Sequence, residues 1–273
     1  MSTVALEFVP PDLENGHQLA QEEAGKITEL FRETGLEGRV NSLLVPGMIA
    51  EDPDRPVALR PKMDPLDLWK AVKPQLGNMT CMVTQVTAFH KEAALTERFA
   101  ALRSAGIDHV VMVGVPRTMA DGEGDGVPPT DALDRFREQV PNRGVICIPT
   151  RDQEHGRFNF KCERGATFSL SQLLFSTAMV DFLKAFAEKT PHRPHMFLSF
   201  GYVPQAETRV GLTKWLIKDD GNPLVDQEIA FVNELAGMEL KPRRAALLEL
   251  YKRVIDGVQG LGFPIGIHLE APY

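Results

Sequence analysis

Short apolar runs alternate with longer amphipathic segments along the whole chain. Most of the short runs are continuously apolar, which is typical of strands that are buried on both faces of a parallel sheet. The pattern predicts eight strands, at residues 3–9, 39–46, 79–87, 108–115, 143–149, 167–175, 195–203 and 263–269.

Between these strands, apolar positions recur with helical spacing. The predicted helices cover residues 17–34, 64–75, 91–105, 130–139, 154–164, 177–189, 208–218, 224–237 and 242–260. Strands that alternate with helices favour an α/β fold, a closed (β/α)8 TIM barrel formed by residues 1–273 as one domain. The alternative is a doubly wound open sheet, but no G-x-G-x-x-G motif follows a strand. The chain ends at Tyr273, four residues after the last predicted strand, so we expect the final barrel helix to be missing from this chain.

Charge and hydropathy argue against two classes of partner. The net charge of −7 and the pI of about 5.6 argue against a nucleic-acid surface, which needs clustered Lys and Arg. No apolar run reaches the length of a membrane span, and the amino terminus MSTVALEFVPPD has neither the basic nor the apolar segment of a signal peptide. We therefore expect a cytoplasmic protein with a small-molecule substrate, and the sequence leaves its oligomeric state open.

The spacing of cysteines and histidines indicates no metal site. Cys81, Cys147 and Cys162 are far apart and odd in number, with no CxxC pair, so neither a disulfide framework nor a zinc site is predicted. The seven histidines form no HExxH and no HxH motif. We expect reduced, mostly buried thiols and no metal.

Polar residues at the carboxyl ends of the predicted strands are the candidates for chemistry, because barrel enzymes place their active sites there. These candidates are Glu7, Glu51, Gln85, Gln172, Tyr202, His268 and Glu270.

Glu7 and Gln172 are the most informative of these residues. Glu7 lies in the apolar run VALEFVPP, and an apolar setting raises the pKa of a carboxylic acid toward the range that general-acid chemistry needs. The alternative is that Glu7 faces outward and pairs with a surface lysine. Gln172 interrupts FSLSQLLF, where a buried amide needs hydrogen-bond partners. A heterocyclic ligand would supply them, and the alternative is a core glutamine bonded to neighbouring backbone.

Five segments, in order along the chain, resemble one family. EFVPP is similar to the E-F-F-P-P segment that opens methylenetetrahydrofolate reductases, and SAGIDHVVMVGV is similar to their fourth strand. VICIPTRDQE, KCERGATFSLSQLLF and SFGYVP resemble their fifth, sixth and seventh strands with adjoining segments. The resemblance implies that Glu7 is the acid that assists opening of the methylene bridge. It also implies that Gln172 hydrogen-bonds the folate.

Two further segments resemble the flavin-independent branch of that family. They are VPGMIAEDPDRP after the second strand and VPRTMADGEG after the fourth, where flavin-dependent members carry an R-G-D triplet. The resemblance implies direct hydride transfer from NADH, or from NADPH, without bound FAD. A flavin-dependent reductase and a non-catalytic folate-binding barrel are the alternatives.

The site residues divide into two groups on this hypothesis. Glu51, Gln85, Gln172 and Glu270 are assigned to the folate. Lys161, Tyr202 and His268 are assigned to the nucleotide, and Lys161 matches the lysine that the family carries in the helix before the sixth strand.

Overall fold

The computed structural model describes residues 3–47, 60–76, 79–114, 126–203, 211 and 221–271. Eight parallel strands pair in chain order, and the last pairs with the first to close a barrel. The strands are β1 Val4–Glu7, β2 Ser42–Val45, β3 Thr80–Val86, β4 His109–Val113, β5 Asn142–Cys147, β6 Phe168–Ser171, β7 His195–Gly201 and β8 Ile265–Glu270. The predicted (β/α)8 barrel is confirmed.

Helices alternate with the strands and surround them. Their bounds are α1 Gly16–Thr34, α2 Pro65–Leu76, α3 Glu92–Ser104, α4 Pro129–Arg135, α5 Glu154–Glu163, α6 Ala178–Lys189, α7 Pro223–Ala236 and α8 Leu240–Val258. The helix predicted for 208–218 lies outside the described residues except for residue 211. None of the described helices is both long and apolar enough to cross a membrane.

Alternation along the strands separates an inner from an outer core. The inner core consists of Ala5, Leu44, Met82, Val111, Phe168, Leu170 and Phe197. Their sequence neighbours, such as Leu43 and Cys81, face outward and pack with the helices in a larger cluster. Because successive side chains of a strand point to opposite faces, this division fixes the direction of every strand residue.

Two aromatic rings fill the amino-terminal end of the barrel. The rings of Phe168 and Phe197 lie 5.9 Å apart, edge to face. Each ring packs over a glycine of a neighbouring strand, because a Cβ at Gly144 would lie 2.4 Å from Phe168 and one at Gly266 would lie 2.7 Å from Phe197. The barrel is therefore plugged at this end, and a ligand must enter from the carboxyl ends of the strands.

Two predicted elements are shorter in the structure. The sixth strand, predicted for 167–175, ends at Ser171, because Leu173 and Phe175 leave the sheet and pack against α7 and α8. The fourth helix, predicted for 130–139, ends at Arg135 in a short turn. After β6 the apolar run continues because Leu173 and Phe175 are buried by helices and not by the sheet.

Candidate functional site

Four polar residues face the inside of the barrel, three of them at its carboxyl mouth and one a layer below it. Ala5 belongs to the inner core, and Glu7 is on the same face of β1 two residues later. His268 pairs with Ala5 in the β1–β8 register, so His268 and Glu270 share this inner face. Gln172 continues the inward alternation of Phe168 and Leu170 just beyond the end of β6. Glu7, Gln172, His268 and Glu270 are thus brought to one end of the barrel.

Glu7 is the last residue of β1 and is 9% exposed. Its Oε2 accepts a hydrogen bond of 2.9 Å from the backbone N–H of Ala271, immediately after β8. The outward-facing alternative, with a surface lysine as partner, does not hold. The carboxyl group lies inside the mouth, held against the seam between the first and last strands.

Glu270 ends β8 beside Glu7. The register that pairs Leu6 with Leu269 brings Glu7 and Glu270 next to each other on neighbouring strands. Glu270 is half-buried and pairs with Gly201 of β7 on its other side. Two carboxyl groups therefore end adjacent strands at the inner rim.

Gln172 lies just after β6 and not inside the strand, which corrects its predicted position. Its backbone N–H still donates to the carbonyl of Cys147, at 2.8 Å, so the residue keeps the direction of the sheet. The side chain is half-buried, and its amide forms no hydrogen bond with any residue in the described part of the chain. An unpartnered amide at this position has both a donor and an acceptor to offer a ligand.

His268 lies one layer below the mouth and is 4% exposed. The Ser199 hydroxyl donates to the carbonyl of Ser171 at 2.8 Å and lies 2.9 Å from His268 Nδ1. Because the Ser199 hydroxyl proton points to the Ser171 carbonyl, the hydrogen between Ser199 and the ring is assigned to Nδ1, which donates to the Ser199 oxygen. Burial lowers the pKa of His268 to about 4, so the ring is neutral at pH 7. Nε2 is left as a buried acceptor with no partner among the described residues.

The structure does not bring Gln85 to this group. Gln85 shares the outward face of β3 with Cys81 and Val83, both members of the outer core. Its Oε1 accepts from Arg98 at 3.1 Å, and its Nε2 donates to the carbonyl of Val86 at 2.9 Å. Both ends of this amide are therefore used in the layer between strand and helices.

Lys161 and Tyr202 also lie away from the inner face. The Lys161 ammonium donates to the carbonyl of Ile146 at 2.7 Å and to Glu154 at 3.2 Å. Glu154 is 2% exposed and also pairs with Arg151. Tyr202 follows β7, and the Arg244 guanidinium of α8 lies 5.4 Å from the centre of its ring. Each residue thus already has a protein partner.

Two further predictions concern Glu51 and metal binding. Glu51 lies outside the described residues. Within the described part of the chain, no cluster of three His, Cys, Asp or Glu side chains could hold a metal ion. Cys81, Cys147 and Cys162 are free and buried, as predicted, and burial raises the pKa of each thiol.

Glu228 is a buried carboxyl group that the sequence interpretation missed. It lies on α7, is 2% exposed and accepts a hydrogen bond of 2.8 Å from the Ser176 hydroxyl. Burial raises its pKa to about 6. The available signal was its spacing, because Glu228 falls on the stripe formed by Val225, Val232 and Leu235, the buried face of this helix.

Comparison with known proteins gives one match in sequence and several in fold. The family described as mycobacterial methylenetetrahydrofolate reductase matches residues 1–273. No curated protein matches the chain in sequence. A protein from Clostridium thermocellum, described as binding two copies of 5-methyl-5,6,7,8-tetrahydrofolic acid, has a similar fold. It is 17% identical with a TM-score of 0.71, and the alignment covers 100% of this chain and 89% of that one. An EDTA monooxygenase from Chelativorans sp. BNC1 is 15% identical over 100% of this chain and 89% of its own, with a TM-score of 0.49, too low to inform function.

Proposed function

The chain belongs to the mycobacterial methylenetetrahydrofolate reductase family, and from that premise we propose that it is an oxidoreductase acting on a folate. The proposed reaction reduces 5,10-methylenetetrahydrofolate to 5-methyltetrahydrofolate, with NADH as the hydride donor and without flavin. The observation that carries the proposal is the buried carboxyl group of Glu7 inside the barrel mouth, at the position where the family has its acid.

Glu7 would act first, as a proton donor. Its carboxylic acid protonates the folate nitrogen that departs when the methylene bridge opens, and the carbon–nitrogen bond breaks to leave an iminium cation on the other nitrogen. The resulting carboxylate stabilises that cation electrostatically in a site shielded from water. NADH then delivers hydride to the iminium carbon, which becomes the methyl group. One proton and one hydride are consumed for each turnover.

Gln172 would orient the pterin. Its amide offers one acceptor and two donors, which match the alternating donors and acceptors along the edge of a pterin ring. The absence of a side-chain partner among the described residues favours a ligand role over the alternative of a core amide bonded to backbone. Glu270 lies beside Glu7 at the same rim and, with Glu51, is assigned to the folate.

Among the residues assigned to the nucleotide, His268 has the best support from the structure, because it lies within the barrel. A neutral ring adds no positive charge below a developing cation, so the lowered pKa of His268 suits the proposed chemistry. Lys161 and Tyr202 stand outside the inner face, each with a protein partner. Their assignment rests on sequence alone.

The surroundings of Lys161 support a reaction without flavin. Upstream of Lys161, the positions that would hold the flavin phosphates and ribityl chain in flavin-dependent members are occupied by Glu154, Arg157 and Phe160. The lysine itself is retained, and its ammonium is bonded to Glu154 and to the carbonyl of Ile146. The segments that most resemble the flavin-independent branch lie largely outside the described residues, so that part of the proposal depends on the sequence.

The folate-binding structure with a similar fold agrees with this substrate class, since its ligand is the product of the proposed reaction. At 17% identity the likeness establishes the fold alone. The choice of folate for this chain therefore rests on membership of the family and on the side chains at the mouth.

An NADH oxidation assay tests the proposal. The purified protein, without added flavin, is mixed with methylenetetrahydrofolate, and absorbance at the nicotinamide band is followed beside the protein's own visible spectrum. We expect NADH oxidation that depends on the folate. Folate binding without any oxidation of NADH or NADPH would favour a non-catalytic folate-binding barrel instead.

A further inference from the structure

Helix α7 lies on the rim of the barrel mouth. Its N-cap residue Asn222 donates from Nδ2 to the carbonyl of Thr150, in the loop after β5, at 2.6 Å. Val232 and Leu235 pack with Leu173 and Phe175 from the segment after β6, in one small core. Helix α8, which packs against α6, provides the crossover to β8. Helix α7 thus contacts the loops that form the mouth and, within the same small core, Leu247 of α8.

Glu228 is the polar contact in this apolar interface. It is almost fully buried, and no cation forms an ion pair with it in the described part of the chain. Its hydrogen bonds come from the Ser176 hydroxyl, at 2.8 Å, and from the backbone of Phe175. A buried carboxylate without a cation is costly, and burial accordingly raises the pKa of Glu228 to about 6. An apolar residue would fill the same space without the desolvation cost of a carboxyl group. What Glu228 adds to the interface, and its apolar neighbours do not, is directional hydrogen bonds.

These bonds hold the short segment that begins with Gln172. The Ser176 oxygen also accepts from the backbone N–H of Ala178, at the start of α6. At the other end of the segment, the backbone N–H of Leu174 donates to the carbonyl of Ser199 on β7. The packing of Leu173 and Phe175 in the small core also holds the segment. The Glu228–Ser176 bond fixes its far end, where the chain enters α6.

We infer that Glu228 is a positioning residue for folate recognition. Through Ser176 it fixes segment 172–177, and this keeps the Gln172 amide turned into the barrel. The inference rests on the proposed role of Gln172 as a folate ligand. It predicts that breaking the Glu228–Ser176 bond weakens folate recognition while leaving NADH recognition and the hydride step nearly intact.

The test uses three variants of the full chain and one control. Glu228→Ala and Ser176→Ala each remove the bond. Glu228→Gln keeps an oxygen that can accept from Ser176 but removes the charge. Glu234→Ala is the matched control, because Glu234 is an exposed glutamate on the same helix. For each protein, KM for methylenetetrahydrofolate, KM for NADH and kcat are measured, together with the thermal unfolding midpoint.

We expect Glu228→Ala and Ser176→Ala to raise the folate KM roughly 5- to 10-fold, the effect of one lost hydrogen bond. KM for NADH and kcat should change little. Glu228→Gln should restore the folate KM of the wild type and hold or raise the unfolding midpoint, since it removes a buried charge. Glu234→Ala should behave as the wild type does.

Other outcomes overturn the inference and can be told apart from failure of the proposed function. If the wild type turns over folate but none of the three variants changes the folate KM, Glu228 does not position Gln172. If all three variants lose folding, or if folate and NADH constants worsen equally, Glu228 has only a structural role. If the wild type neither binds 5-methyltetrahydrofolate nor oxidises NADH in the presence of methylenetetrahydrofolate, the proposed function itself is wrong.

Discussion

The carboxylate of Glu7 accepts a hydrogen bond of 2.9 Å from the backbone N–H of Ala271, a residue 264 positions later in the chain. The bond spans the seam at which β8 returns to β1. The donor is a backbone N–H, so this contact orients the proposed acid whatever the protonation state of the neighbouring side chains. A replacement that keeps an acceptor oxygen should therefore preserve both the seam and the position of the side chain.

Glu7→Gln keeps that acceptor and removes the acidic proton. We expect turnover to fall by roughly 10²- to 10⁴-fold, the usual contribution of general acid catalysis. Folate binding should be largely retained, and the unfolding midpoint should hold or rise because a buried ionisable group is removed. Steady-state kinetics, calorimetric folate binding and thermal unfolding measure the three quantities. Glu14→Gln, at an exposed glutamate in the loop after β1, is the control. Near-normal turnover or unfolding of the Glu7 variant contradicts the acid role.

Gln172→Ala tests folate recognition. Removing one buried hydrogen-bond partner costs about 1 to 3 kcal/mol, so the folate requirement should rise far more than the NADH requirement. Gln85→Ala is the matched comparison, because Gln85 faces the helices and bonds to Arg98. We expect Gln85→Ala to lower thermal stability and leave folate KM unchanged. An unchanged folate KM in the Gln172 variant would mean that Gln172 is only a core amide.

The barrel itself could be predicted from the sequence, because its strands are continuous apolar runs. Which face of each strand points into the barrel could not be predicted, since a run such as MTCMVTQV carries apolar residues on both faces of the strand. The outward direction of Gln85 follows from the packing of Cys81 and Val83 against the helices, which only the structure shows. For the same reason the sequence predicts Leu173 and Phe175 as part of the sixth strand, although they pack on helices instead.

The candidate site was predicted in part. Glu7 and Glu270 end strands and Gln172 follows one, as the strand-end rule requires. His268 shares their inner face but lies within β8, one layer deeper. Lys161 was assigned by resemblance, and a sequence does not reveal that Glu154 and Ile146 already bind its ammonium.

His268 predicts a pH dependence of stability. Its pKa is about 4 in the folded protein and 6.5 in the unfolded reference state. The contribution of the neutral ring to the free energy of unfolding is therefore fully present above pH 6.5, declines as pH falls below that value and is lost once pH has fallen through about 4. The full effect is about 3 kcal/mol at 1.36 kcal/mol per unit. His268→Asn keeps a donor for Ser199 and does not titrate in this range. Denaturant unfolding between pH 7 and pH 4 should show a shallower loss of stability in this variant than in the wild type.

The comparison uses the change in the free energy of unfolding with pH and not its absolute value, because the smaller asparagine lowers stability at every pH. His17→Asn, at an exposed histidine of α1, should keep the slope of the wild type. An equally steep loss in the His268 variant would show that other groups cause the acid sensitivity.

The most direct test of the proposed reaction follows the hydride. Purified protein that shows no flavin absorbance is mixed with methylenetetrahydrofolate and stereospecifically deuterated NADH, and the product is analysed by mass spectrometry. We predict one deuterium in the methyl group of 5-methyltetrahydrofolate, with no requirement for added FAD. Stoichiometric FAD with flavin-dependent turnover, or deuterium lost to solvent before it reaches the folate, would contradict direct transfer.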